Sequence, residues 1–186
     1  MKMKLKYFYV AALAVLTLGC KEKKQAEVII ATKQEAPKPT APVKMQPYED
    51  SRQVKWVGRT YTVEVKRRAD DSLRMVKDET GQKFVDNRIT VSVIRGDGSK
   101  AFHREFTKAD FDAYIDNTYR HDGILEGIVF DEVDDNELEF AASVCIPQTD
   151  EYIPLVLKVD NFGKVSIKLD NRLDTYGGDD DDEPDD

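Results

Sequence analysis

Two cysteines, two histidines and an excess of carboxylates are the side chains in this sequence with chemistry to offer. Cys145 lies within an alternating run, Leu138 to Ile146, with apolar neighbours on both sides. A nucleophilic thiol is a thiolate, made by nearby positive charge or a helix N-terminus. A cysteine in the middle of a strand has neither, so Cys145 is expected to be packed and inert. His103 falls out of phase with Phe102 and Phe106, which points it to solvent or to the outer face of a sheet, and His121 sits in the loop "RHDG". The two histidines therefore lie on different elements. A structural zinc site takes about four Cys, His or carboxylate ligands at set spacings, and no metal site is expected here. "DEVDDNELE", residues 131 to 139, gathers six carboxylates. It lacks the central glycine and spaced ligands of a calcium loop and reads as an acidic turn between strands. "GDG" lacks the rest of a phosphate-cradling loop, and no GxSxG occurs. The spacing of a glycosidase-type carboxylate pair is set in three dimensions, and no pair stands out. No catalytic residue and no cofactor are assigned, the ligand-binding residues are unassigned, and the chain is expected not to be an enzyme.

The other cysteine has a different setting. Lys2, Lys4 and Lys6 precede an apolar stretch of twelve residues, Tyr7 to Leu18, and the stretch ends Thr17-Leu18-Gly19-Cys20. A bilayer span needs about 20 apolar residues, so this stretch has the length of a secretory signal. Its end resembles a bacterial lipobox, although Thr17 stands where leucine is usual and Leu16 lies one place further back. The resemblance implies a diacylglycerol (palmitate-type) thioether on Cys20, cleavage just before it, and a signal peptide of residues 1–19. Several acyl chains together anchor a protein stably where one does not.

From Cys20 onward the chain carries 25 basic and 36 acidic residues, a net charge of −11. Seven of those acids fall in the last eight residues, and without them the net charge is −4. Nucleic acid and anionic lipid both require clustered lysine and arginine. Neither is expected as a partner. After Cys20 comes a polar stretch with four prolines, through "APKPTAPVK" to "PYEDSRQ". Residues 20–53 read as a lipidated, disordered tether, extended at about 3.1 Å per residue where it is Pro-rich. Residues 54–176 form one globular domain, and the acidic tail 177–186 is too charged to bury surface.

Period-two alternation dominates the domain. Tyr61, Val63 and Val65 form one strand, and Ile89, Val91 and Val93 form a second, which turns at "RGDGS" into a third through Phe102 and Phe106. Four stronger strands follow: Ile124 to Val133, Leu138 to Ile146, Ile153 to Val159, and Val165 to Leu169, the last two joined at Asp160-Asn161-Phe162-Gly163. A weaker strand is expected at Leu73 to Val76. "FTKADFDAYID" changes period, placing Phe111, Tyr114, Ile115 and Thr118 on one side of a helix at about 108 to 117, capped at Thr107 and ended by "RHDG". The helix is expected to lie against the small residues Ala141, Ser143 and Cys145. The fold class is therefore mainly β (α+β): an antiparallel curled sheet of about eight strands with one helix, forming a sandwich or a partly open barrel.

In layout, residues 1 to 170 resemble small lipoproteins of Bacteroidales-type bacteria that carry only a domain of unknown function. The likeness rests on the "GC" ending, the Pro-containing tether, and the segments "DNRITVSVIRGDGS", "FTKADFDAYI" and "IPLVLKVDNFGKVSIKLD". The resemblance carries over no catalytic residue. It implies an envelope lipoprotein, and the basic, mixed "KEKK" after Cys20 places it on the outer membrane facing the periplasm. The expected role is a non-catalytic interaction module, held at the membrane by its lipid, for an envelope protein or glycan. The alternative is a carrier that holds a small apolar ligand inside a barrel-like domain.

Overall fold

In the computed structural model, residues 40 to 172 are described. The signal, Cys20, most of the tether and the acidic tail lie outside them. The described residues form ten strands and one α-helix. β1 (Tyr48–Trp56), β2 (Arg59–Ala69), β5 (Asn87–Arg95) and β6 (Lys100–Phe106) make one antiparallel sheet in the order β1-β2-β5-β6. β7 (Ile124–Asp134), β8 (Glu137–Cys145), β9 (Tyr152–Asp160) and β10 (Val165–Leu169) make a second, in the order β10-β9-β8-β7. β3 (Val76–Lys77) and β4 (Lys83–Phe84) form a small separate hairpin.

The alternation in sequence builds the core. Val63, Val65, Ile89, Val91 and Val93 from the first sheet meet Leu138, Phe140, Val144, Leu155 and Leu157 from the second in a single buried cluster. Neither sheet closes on itself, so of the two architectures left open by the sequence the molecule takes the sandwich. Phe106, Phe111 and Phe140 are wholly buried in its interior. Each such ring contributes roughly 1.5–3 kcal/mol through the surface it removes from water. The carrier reading presupposed an enclosing barrel, and the open, side-chain-filled sandwich does not provide one.

Three expectations are corrected. The domain does not begin at residue 54, because β1 starts at Tyr48 and pairs with β2 from Tyr48 opposite Arg67 to Trp56 opposite Arg59. Only Val54 and Trp56 of this edge strand are buried, so its earlier residues carry no apolar alternation. Val57 and Gly58 make its two-residue turn, both at positive φ, as a type I′ hairpin requires. Further upstream, Val43 pairs with Phe84 in parallel.

Secondly, no continuous helix spans 108 to 117. A 3-10 turn at Lys108–Phe111 is followed by α1 at Asn117–Asp122. Asp110 does close the expected cap, accepting from the Thr107 amide at 2.9 Å. The break comes at Asp116, whose extended backbone starts a new helix and whose side chain accepts from the Tyr119 amide. An aspartate competes for the backbone in this way wherever it can cap. Phe111 and Ile115 are buried as the helical pattern suggested, while Tyr114 is exposed.

Thirdly, the helix does not cover Ala141, Ser143 and Cys145. Ser143 donates to the Glu126 carboxylate at 2.8 Å, and Cys145 packs with Met45 onto Val76, Phe84 and Ile124. The small hairpin and the chain leading into β1 pack against Cys145. The weak strand at Leu73 to Val76 is shifted accordingly to Val76–Lys77.

Candidate functional site

The second, smaller apolar cluster floors an open groove of about 520 Å³ at the end of the sandwich. One wall is the extended chain Val43 to Met45, held to β4 by two bonds: the Val43 amide donates to Lys83 O at 2.8 Å, and the Val85 amide donates to Val43 O at 2.9 Å. The other wall is the loop from Ile146 to Tyr152. That loop is tied internally, the Ile146 amide donating to Glu151 O at 3.0 Å and the Thr149 hydroxyl to Ile146 O at 3.0 Å. Gln148 holds the left-handed conformation, φ 66°, which side chains other than glycine adopt infrequently. Val43 and Tyr152 stand exposed on opposite walls.

Behind the floor is a polar junction. Asp86 is buried, and its Oδ1 accepts from the amides of Leu125 and Asn87, both at 2.8 Å. Its other oxygen lies 3.9 Å from Lys108 Nζ, and Lys108 also donates to Gly123 O. Burial pushes the Asp86 carboxyl above its ordinary value, against the pull of these partners. Burial likewise pushes Lys108 down. The junction ties the chain entering β5 to the start of β7. It thereby fixes Val85, Ile124 and Glu126, which all line the groove.

The groove also contains Cys145. Burial, and then the neighbouring Glu126 charge, push its thiol up to about 11. At neutral pH the thiolate is scarce, as expected of a packed cysteine. His103 is exposed on the outer face of the first sheet, its Nδ1 2.9 Å from Ser92 Oγ. His121 is exposed on α1. The structure brings neither histidine to Cys145 or to the other.

The acidic run forms the β7–β8 hairpin, as expected. Asp131, Glu132 and Glu139 present oxygens within 4.8 Å of one another. Glu139, though buried, is matched by Lys158 at 3.0 Å and Arg172 at 2.9 Å. Lys158 also reaches Asp134 and Glu137, and these carboxylates, Asp134 first and then Glu139, raise its pKa. The cluster is a charge network that neutralises a buried glutamate. The sequence gives no sign of it, because the pairing runs across three strands.

Residues 29–167 match the family model described as Domain of unknown function (DUF4738). The chain belongs to this family. No curated protein matches it. The matched region of the DUF4738 domain includes every strand of the first sheet, β7 to β9, both walls of the groove and the Asp86 junction. Sequence reasoning missed the groove because one wall, Val43 to Met45, lies in the stretch that composition assigns to a tether.

Proposed function

We propose that this DUF4738 chain is an envelope lipoprotein: exported, held through a lipid on Cys20 at the outer membrane facing the periplasm, and acting through its sandwich as a non-catalytic interaction module for a protein or glycan. The observation that carries the reading is the amino-terminal order of three lysines, twelve apolar residues and Leu18-Gly19-Cys20. The lipid would be the anchor, and no helix among the described residues is long and apolar enough to cross a membrane. Support for a binding role is the open groove with exposed apolar walls. Support for a non-catalytic role is the burial that raises the Cys145 pKa above its ordinary value, and the placement of His103 on β6 and His121 on α1.

The experiment is metabolic labelling with an alkyne analogue of palmitate, followed by membrane fractionation. The native chain should take the label and sediment with the outer membrane, and Cys20→Ala should lose both properties. An unlabelled native chain, or a Cys20→Ala chain that labels equally, would sink the anchoring.

A further inference from the structure

The groove beside Cys145 does not stand alone. A second depression of about 690 Å³ lies against the same loop, sharing Ile146 to Thr149 and Glu151 with the first. A small ligand would occupy one of the two. An extended chain, advancing about 3.3 Å per residue, can run from one to the other.

The charges around both depressions have one dominant sign. Glu126, Asp150 and Glu151 edge the first, and Asp78, Glu79 and Asp122 join Glu151 around the second. Against these six carboxylates stand Lys44 and Lys77, and Lys44 is already 2.5 Å from Asp71. Asp150 makes no hydrogen bond or ion pair among the described residues, and Glu151 is engaged there only through its backbone. Between the carboxylates lie apolar contacts: Val43 is 42% exposed and Tyr152 49% exposed, with Met45 and Ile146 between them. The amide and carbonyl of Lys44 have no backbone partner among the described residues, leaving hydrogen bonds for an added extended chain.

We propose that these paired depressions around residues 146–151 form the docking surface of the module, and that the occupant is an extended peptide segment of an envelope protein in which lysine or arginine alternates with apolar side chains. The apolar side chains fit between Val43 and Tyr152, and the cations meet the carboxylate rim. This rests on the interaction-module reading and gives that module a partner chemistry. A glycan lacking cationic groups would make no use of the rim.

The test uses the lipidated full chain in nanodiscs of neutral lipid, with empty nanodiscs as the blank. The probe is a short fluorescein-labelled peptide alternating lysine and leucine, and its control replaces lysine with glutamate. The lysine peptide should bind, weaken as salt rises, and weaken at least about tenfold in the double variant Asp150→Lys, Glu151→Lys, since rim charges act through long-range, screenable attraction. Equal binding to the native chain and the double variant, or no binding to the native chain, overturns the proposal. In cells, a photoreactive side chain is placed at Thr149 in one strain and at Lys66, on the first sheet, in another. Crosslinks from Thr149 that the lysine peptide competes away support the groove. Crosslinks from Lys66 alone overturn the groove and leave the module reading standing, whereas crosslinks from neither position overturn both.

Discussion

Removing the Asp86 carboxylate should unfasten the junction behind the groove. In Asp86→Ala the amides of Leu125 and Asn87, now bonded to Asp86 Oδ1 at 2.8 Å each, lose their acceptor in the interior. A buried donor left without a partner costs about 1–3 kcal/mol, and Lys108 loses its counter-charge while keeping Gly123 O. The sum is roughly 3 kcal/mol or more, a fall in Tm of roughly 10 °C for a domain of this size. Asp86→Asn keeps an acceptor oxygen in place and removes a charge that burial disfavours, so at neutral pH it should cost less than about 1 kcal/mol. Calorimetry and urea unfolding of the full chain would measure both. The pH dependence supplies an independent arm. Burial raises the folded pKa of Asp86 above its unfolded value, so its contribution to stability is complete below the unfolded pKa of about 4 and is lost as pH rises through the folded pKa. The penalty of Asp86→Asn should therefore be larger at acid pH than at neutral pH. An alanine variant within about 2 °C of the native Tm, where roughly 10 °C is expected, would refute the junction. An asparagine variant as costly as alanine would refute the hydrogen-bond account and move the energy to the charge.

Two further outcomes follow from the same region. Cys145, with its thiol pushed up to about 11, should react with iodoacetamide at pH 8 more slowly than glutathione by about a hundredfold, since only about one thiol in a thousand is ionised; mass spectrometry of timed samples gives the rate, and parity with glutathione would contradict the burial. Gly123→Ala should destabilise by about 1–3 kcal/mol through overpacking, because an added Cβ would lie 2.6 Å from Tyr119 O and 3.0 Å from Val144 Cγ1; urea midpoints measure it, and an unchanged midpoint would show that the end of α1 gives way freely.

The alternating strands could be identified from local sequence because each has one buried and one exposed side, and that periodicity is a property of a single chain segment. Alternation alone puts Ile89, Val91 and Val93 on the buried side of their strand, where they lie. The hairpin turns at Gly98 and Gly163 were legible for a similar reason: both take positive φ, at 83° and 80°, which glycine adopts without steric cost. The acidic run was correctly placed between strands by its composition. β1 was not legible, since seven of its nine residues are only partly buried or exposed and its place is fixed by pairing with β2. The helix pattern around Phe111 was right about burial and wrong about continuity, because the competing cap at Asp116 depends on local backbone geometry that periodicity does not encode. Buried Asp86 and Glu139 look like surface acids in the sequence. Their partners are brought in by other strands and by the chain past β10: Leu125 and Lys108 for the first, Lys158 and Arg172 for the second. Local chain chemistry thus determined the strands with two unlike faces and the packed setting of Cys145. The sandwich, the groove between Val43 and Tyr152 and the neutralisation of its buried acids were decided by contacts between residues far apart in the chain, whose pairing no local pattern records.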